Sequence, residues 1–397
     1  MLPARRAPLR QTAGVTLFWI TAASLLSWVW LVVGQGFFWR TDQRLPPPGP
    51  DPRRWPDVAV VVPARDEAEV LPLSLPGLLA QKYPGRARVI LVDDHSSDGT
   101  AGVARALAAA GGLPLTVATP PPLPAGWTGK LWAVRHGVEL AGEAELLLLT
   151  DADIAHGPGT LAALVAGAER HRLDLVSQMA RLRTETGWER LIVPAFVYFF
   201  AQLYPFRWSN RPGSRTAAAA GGCSLVRRTA LERAGGVAAI RGAVIDDVSL
   251  ARAVKRGGGR TWLGLADPDP ELAVLSVRPY VGLGPLWRMV SRSAYAQLKH
   301  SPALLLGTVL GLALVYLVPP LAVLAGAVTG SWPVAAAGAA AWLLMAGSFL
   351  PMVRYYGRPA PAALLLPFTA LLYLLMTVDS AVQHYRGRGA AWKGRTY

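Results

Sequence analysis

Three stretches of this chain carry no charged side chain: Gln11 to Trp39, Ser301 to Val353 and Pro359 to Val378. Lipid offers backbone N–H and C=O groups no partners, so a segment inside a bilayer must be a helix of roughly 20 apolar residues or part of a closed barrel. Each stretch is long enough to cross, and the middle one has room for two helices divided near Thr329-Gly330-Ser331-Trp332-Pro333. Four spans are therefore expected, near 15–38, 303–328, 332–353 and 360–379. Arg5, Arg6 and Arg10 give residues 1–14 the basic character of a secretory leader. The apolar part that follows is too long for one and ends without a small-x-small cleavage pattern, so the first span reads as a retained anchor.

With 397 residues, 52% of them hydrophobic, the chain has room for one sizeable soluble domain beside these spans. Lys and Arg outnumber Asp and Glu by 40 to 25, a net charge of +15 that suits nucleic acid, anionic lipid or a phosphorylated small substrate. The spans favour the last two, and no zinc finger, RNA-binding signature or basic helix with periodic aromatics supports the first. Cys223 is the only cysteine, which rules out an internal disulfide and fits a reducing, cytoplasmic face for the soluble part. The six histidines are scattered without an HxxxH pair and read as structural.

After the anchor, Pro46-Pro47-Pro48-Gly49-Pro50, Pro52 and Pro56 make 39–56 a stiff linker, and a soluble domain is expected over 57–300. Val58 to Val62, Arg88 to Val92, Leu113 to Ala118 and Leu146 to Leu149 read as strands. Helical spacing runs over Glu67 to Leu79, Thr100 to Ala110 and Leu131 to Leu140. This alternation predicts an α/β fold with a mostly parallel, doubly wound sheet. Neither GxGxxG nor GxxxxGK[ST] is present, which excludes the dinucleotide and P-loop readings.

In such sheets ligands collect at the carboxyl ends of the strands, and here those ends are polar. The first gives Pro63-Ala64-Arg65-Asp66-Glu67, and the second gives Asp93-Asp94-His95-Ser96-Ser97-Asp98-Gly99-Thr100. The fourth, Leu146 to Leu149, runs into Thr150-Asp151-Ala152-Asp153. Asp93 or Asp94 is placed to bind a ribose or base edge, while Ser97 or Asp98 serves as helix cap. Asp151 and Asp153 offer two hard oxygen donors suited to Mg²⁺ or Mn²⁺ held with substrate phosphates; the alternative is that they only cap the helix beginning near Pro158. Lys130, alone in the rigid segment Pro120 to Trp132, is either a diphosphate contact or a solvated surface lysine.

Together, Val60-Val61-Val62-Pro63-Ala64-Arg65-Asp66-Glu67, Val92-Asp93-Asp94, Ser97-Asp98-Gly99-Thr100 and Asp151-Ala152-Asp153 resemble the family 2 glycosyltransferases of GT-A fold. Ile245-Asp246-Asp247-Val248-Ser249-Leu250 resembles that family's acidic segment, whose final aspartate is the general base. A narrower resemblance, to the bacterial hopene-associated glycosyltransferases, rests on four motifs. They are Gly126-Trp127-Thr128-Gly129-Lys130-Leu131-Trp132-Ala133, Ala219-Ala220-Gly221-Gly222-Cys223, the Ile-Asp-Asp segment and Trp392-Lys393-Gly394-Arg395-Thr396-Tyr397. The resemblance implies inverting transfer of a sugar from a nucleotide-diphosphate donor to a membrane lipid. It casts Asp247 as base, Asp246 as its support, and Asp151 and Asp153 as metal ligands. Pro63, Arg65, Glu67, Asp93, Asp94, Lys130 and Asp151 fall on the donor. Without it, Asp246 and Asp247 would read as acids stabilising a helix Val248 to Lys255 through its dipole.

The Gln-x-x-Arg-Trp motif of processive relatives is absent; the corresponding region carries Arg288 and Arg292, one helical turn apart and expected to meet the leaving diphosphate. A single transfer is therefore expected rather than polymer synthesis. Leu191 to Phe206 is uncharged, aromatic and too short to span. Phe196, Phe199, Phe200, Tyr204 and Trp208 are expected at the membrane interface, facing the acceptor. Three spans after a cytoplasmic domain put the carboxy terminus outside, whereas Arg386, Arg388, Lys393 and Arg395 in the basic tail 381–397 favour the cytoplasm. A re-entrant segment at Pro319-Pro320, within 301–380, would reconcile the two.

Overall fold

The computed structural model describes residues 7–45, 51–387, 391–392 and 395–396. Arg5 and Arg6, the proline run 46–50, and Arg388 and Lys393 of the basic tail lie outside the described residues. Contacts divide the chain into two units: Met1–Thr41, Thr184–Pro205 and Val281–Gly389 form one, and Asp42–Arg183, Phe206–Tyr280 and Ala390–Tyr397 the other. The stretch 57–300, expected as one domain, is thus shared. Two apolar faces within it, on the helices Gly187–Leu203 and Leu283–Gln297, are buried among the apolar helices of the first unit instead.

The second unit is built on seven strands in the order β3-β2-β1-β4-β7-β6-β8. β1 (Val58–Ala64), β2 (Ala87–Asp93), β3 (Leu115–Ala118) and β4 (Leu146–Leu149) run parallel. A small two-stranded sheet pairs β5 (Ile154–His156) with β9 (Val274–Ser276). β6 (Leu175–Met179) and β8 (Thr261–Leu265) pair in parallel, and β7 (Ser224–Arg227), antiparallel to both β4 and β6, joins the two halves. β1 is central and buried on both faces, which is why it reads as an unbroken apolar run. One core packs the helices Leu71–Leu79 and Thr100–Ala108 and the Thr160–His171 helix on one face. The other core packs Gly129–Leu140, Arg228–Arg233 and Asp246–Arg256 on the opposite face.

The β1–β4 ladder ends at Val61 and Leu149, two residues before Pro63, so the proline's missing N–H leaves no gap in it. Beyond that point the chain departs to opposite sides of the sheet, β1 toward β2 and β4 toward β7. This is the topological switch where α/β sheets open a crevice. The helix expected from Glu67 starts only at Leu71. The intervening residues are tied to the β2 loop: Asp66, at φ 50°, accepts the Ser97 N–H through Oδ1 (2.8 Å), and the Glu67 N–H donates to Thr100 Oγ1 (2.9 Å).

In the first unit, Val15–Gly34, Pro302–Thr329, Trp332–Tyr355 and Ala360–Tyr385 are long and apolar enough to cross a membrane. The second of these continues through Pro319-Pro320, widened into a π-turn at Ala313–Leu317. Pro319 has no N–H to give the Val315 carbonyl. The indole Nε1–H of fully buried Trp28 donates to that carbonyl at 2.7 Å instead. The Gly187–Leu203 helix opens with a capping box between Thr186 and Glu189 and is packed inside this unit. Its Tyr198 hydroxyl meets Ser348 Oγ at 2.7 Å, and Phe199 lies between the rings of Tyr316 and Tyr373.

Candidate active site

Three strand ends and two helix starts converge at the switch point. The Gly129–Leu140 helix is capped by Thr128, whose side chain accepts the Leu131 N–H and whose own N–H donates to the Arg241 carbonyl at 2.9 Å. That anchorage aims Lys130, in the first turn, across the ends of β1 and β4. Its Nζ lies 2.8 Å from Asp151 Oδ1 and 3.1 Å from Asp246 Oδ2. Burial alone would lower the Lys130 pKa, but the Asp151 and Asp246 carboxylates outweigh it and hold the ammonium charged. Burial raises Asp151 above the usual carboxylate range, offset in part by Lys130.

Asp246 and Asp247 open the Asp246–Arg256 helix. Asp247 Oδ2 accepts the Gly221 N–H at 2.9 Å and Oδ1 the Val248 N–H at 2.7 Å. Burial, reinforced by the neighbouring Asp246 charge, pushes Asp247 up to about 7. Gly221 forms the wall over these groups, since a Cβ there would stand 3.5 Å from Lys130 Nζ, 3.6 Å from Asp247 Oδ2 and 3.7 Å from Asp151 Oδ2. Pro63, Thr150, Val237 and Ile240 complete a pocket of about 30 Å³ that Lys130 bridges.

A second cluster adjoins through Asp153. Arg278, just past β9, gives its Nε–H to Asp153 Oδ2 at 2.6 Å and its Nη2 to both Glu67 oxygens at 2.8 Å. Burial would lower its pKa, yet Asp153 and Glu67 raise it further above the ordinary guanidinium value. Along the β1 and β2 ends, Arg65 Nη1 donates to the Asp94 carbonyl at 2.6 Å and sits 3.8 Å from its carboxylate. Asp93 accepts the Ser96 N–H, while Asp98 takes the Ala68 and Thr100 N–H groups, one residue ahead of Gly99, which holds the helix's cap position.

The structure therefore brings Pro63, Lys130, Asp151, Asp246 and Asp247 around one pocket and sets Asp153 and Glu67 beside it. Arg288 and Arg292 are exposed on the Leu283–Gln297 helix of the first unit. Phe196, Phe199, Phe200 and Tyr204 belong to that unit too, and Trp208 to the other. Arg278 was not recognised in the sequence; its only signal was a lone cation directly after a short apolar strand, in Val274-Leu275-Ser276-Val277-Arg278. Nor was the tie of buried Thr150 to His156 Nε2 (2.9 Å) and the Gly222 carbonyl (2.7 Å). Burial drops His156 to about 4, so it stays neutral and structural. It likewise pushes the Cys223 thiol up to about 12, leaving it inert.

Five carboxylates (Glu67, Asp151, Asp153, Asp246, Asp247) thus surround two cations, Lys130 and Arg278. Such an arrangement can take up further positive charge or a proton. Among the described residues no three His, Cys, Asp or Glu side chains form a complete metal shell. Asp151 and Asp153 fit a hard divalent ion only where substrate phosphates supply the remaining oxygens, the usual mode for Mg²⁺.

The family described as glycosyltransferase like family 2 matches residues 56–267, more than half of the chain. The chain belongs to this family. No curated protein sequence matches this glycosyltransferase. Among solved structures it is similar to the mannosyltransferase PcManGT from Pyrobaculum calidifontis in complex with GDP-Man and Mn²⁺. That match has 22% identity and a TM-score of 0.53, covering 92% of this chain and 99% of that one. It is also similar, at TM-scores of 0.38 each, to two more distant proteins. For S. aureus TarS 1-349 in complex with UDP-GlcNAc, one of 218 matching chains, the identity is 14%, covering 84% of this chain and 92% of that one. For M. tuberculosis glucosyl-3-phosphoglycerate synthase the identity is 17%, covering 62% of this chain and 80% of that one. The family 2 glycosyltransferase thus has the GT-A fold: a mostly parallel sheet with helices on both faces, accompanied here by four apolar helices long enough to cross a membrane.

Proposed function

We propose that this glycosyltransferase moves one sugar, with inversion, from a nucleotide-diphosphate sugar to a membrane lipid in hopanoid metabolism, its catalytic unit facing the cytoplasm. The observation that carries the reading is Asp247, a buried carboxylate pushed up to about 7 and fixed by the Gly221 N–H, opposite Lys130 and Asp151 in one pocket. A base near neutrality is matched to taking the proton of an acceptor hydroxyl as that oxygen attacks the anomeric carbon. Asp246 holds Lys130 in place, and Lys130 offers a charged donor to the diphosphate as it leaves. Arg65, Asp93, Asp94 and Pro63 line the donor's side of the crevice, with Glu67 braced by Arg278; Arg288 and Arg292 are proposed to meet the diphosphate.

A Mg²⁺ or Mn²⁺ ion on Asp151 and Asp153 would neutralise the donor's phosphates; PcManGT holds Mn²⁺ with GDP-Man. Asp153 would hold that ion in place of its present Arg278 contact. The lipid acceptor is supported by the membrane helices and by the aromatic residues Phe196, Phe199, Phe200 and Tyr204 gathered in their unit; Trp208 is proposed to join them. Expressing wild type and Asp153→Asn in a hopanoid-producing host, then analysing the lipid extract by mass spectrometry, tests the reading. A glycosylated hopanoid that appears only with wild type is expected. A glycosylated polyprenyl phosphate, carotenoid or glycerolipid would redirect the acceptor assignment, and an extract unchanged by wild type would refute lipid glycosylation.

A further inference from the structure

The chain from Thr150 to His156, which carries Asp151 and Asp153 between β4 and the end of β5, is closed by its own end residues. Thr150 is 1% and His156 4% exposed, and the imidazole Nε2 reaches back to Thr150 Oγ1 at 2.9 Å. The same hydroxyl lies 2.7 Å from the Gly222 carbonyl, in the segment leading into β7. A carbonyl only accepts, so the single hydroxyl proton goes to Gly222 and Thr150 accepts from the imidazole. His156 is therefore the Nε2–H tautomer, and burial keeps it in the neutral state that this tautomer needs.

The bland account is that two buried polar side chains satisfy each other and close a turn. Valine and leucine would close it with no polar atom to satisfy, whereas His156 Nδ1 is buried and has no hydrogen-bond partner among the described residues. The turn also has other anchors. Ser74 Oγ donates to the Ala152 carbonyl at 2.5 Å, the Ile154 N–H to the Asp151 carbonyl at 3.2 Å, and Arg278 holds Asp153. What the Thr150 hydroxyl adds is the reach across to Gly222.

That reach bears on Asp247. Glycine is the residue that loses most conformational freedom when fixed, so the pair Gly221-Gly222 needs pins from outside. On one side the Ala220 N–H donates to Ser177 Oγ at 2.8 Å, and on the other the Gly222 carbonyl accepts from Thr150. Between these pins the Gly221 N–H donates to Asp247 Oδ2 at 2.9 Å. A Cβ at Gly222 would stand 3.0 Å from Ile154 Cδ1, so the turn and the glycine pair are pressed together there as well.

We propose that Thr150, oriented by His156, is a positioning residue of the transfer reaction: its hydroxyl fixes the glycine pair whose amide aims Asp247, and sets that carboxylate against the turn bearing Asp151 and Asp153. This role rests on the reading of Asp247 as the base. Loss of the hydroxyl slows turnover more than it weakens donor binding, because the turn keeps its other anchors while the glycine pair loses one of its pins. A misplacement of about 1 Å is enough to cost on the order of 10²-fold in rate.

The test compares full-length wild type, T150V, T150S, H156L and T150V/H156L in nanodiscs made from the lipids of a hopanoid-producing host. GDP-mannose, UDP-glucose and UDP-N-acetylglucosamine with Mn²⁺ are the donor probes, and release of nucleoside diphosphate is counted well below the unfolding temperature of every variant. Valine keeps the branched shape and removes the hydroxyl, whereas serine keeps the hydroxyl and removes the methyl. T150V should lower kcat about tenfold or more with donor KM within about threefold, and T150S should return kcat to within about threefold of wild type. H156L should act in the same direction, and the double variant should lose no more than T150V, since both changes act through one hydroxyl. Packing alone would rank the pair the other way, because serine leaves a hole and valine does not. Hydrogen exchange reads the tie without substrate: the peptide over 217–226 should exchange about fivefold or more faster in T150V and stay protected in T150S. T150V at the wild-type rate, T150S as slow as T150V, or exchange unchanged in T150V overturns the proposal. Wild type that consumes no donor refutes the reading of Asp247 instead, and the exchange comparison still decides the tie.

Discussion

Asp247 titrates up to about 7 because burial penalises its charge and Asp246 adds repulsion, which sets a sign for pH dependence. The base form is the carboxylate. The transfer rate should fall about tenfold per pH unit below about 7 and level off above it, and Asp247→Asn should remove that inflection along with about 10²–10⁴-fold of the rate. A pH–rate profile at saturating donor checks this; a flat profile for wild type would remove Asp247 from the base role. Arg278 makes a prediction about stability instead. Arg278→Ala strands Glu67 and Asp153 without their shared cation and should cost about 3 kcal/mol, with Arg278→Lys between it and wild type because the fork is lost and the charge kept. Thermal unfolding in detergent should rank the three in that order. At this scale the acids were legible, because Asp151, Asp153, Asp246 and Asp247 directly follow apolar strands or open a helix. Arg278 was not, since nothing in a lone arginine shows that it lies beside residues more than a hundred positions away.

Elements were legible where periodicity was clean. The strand Leu146–Leu149 and the four apolar helices lie where the sequence puts them. The antiparallel strand β7 was missed because Ser224–Arg227 is too short to show alternation. Leu191 to Phe206, expected at the interface on its composition, lies mostly in a helix with apolar residues on nearly every side, packed against the apolar helices of its unit. Pro319-Pro320 suggested a re-entrant segment; the helix itself runs on through the pair, because a proline's missing donor can be offset from another helix, and Trp28 does this for Val315. Trp28→Phe keeps the ring and removes only the N–H, leaving a buried carbonyl without a partner at about 1–3 kcal/mol. A clear drop in thermal stability is expected; an unchanged midpoint would mean that the carbonyl finds another donor. Thr128→Val should lower stability by about 1 kcal/mol through loss of the helix cap. Its larger effect should be on transfer, because the cap aims Lys130; equal loss of donor binding and stability would make the cap merely structural.

For the whole molecule, one unit holds the carboxylate-rich crevice and the other holds four apolar helices. That division gives the proposed chemistry its logic: a water-soluble donor needs a polar cleft with fixed charges, and a lipid acceptor needs a membrane segment. The net charge of +15 fits both a phosphorylated substrate and an anionic bilayer. The measurement that tests the account most directly uses full-length protein in lipid nanodiscs, given radiolabelled nucleotide sugars, Mn²⁺ and a hopanoid acceptor. Label is then counted in the organic phase for wild type, Asp247→Asn and Asp246→Asn, with donor affinity as the control. The account predicts label in the lipid fraction for wild type, loss of about 10²–10⁴-fold for Asp247→Asn at nearly unchanged donor affinity, and a smaller loss for Asp246→Asn. Equal, mild effects of the two substitutions, or label that never enters the organic phase while the donor binds, would contradict it.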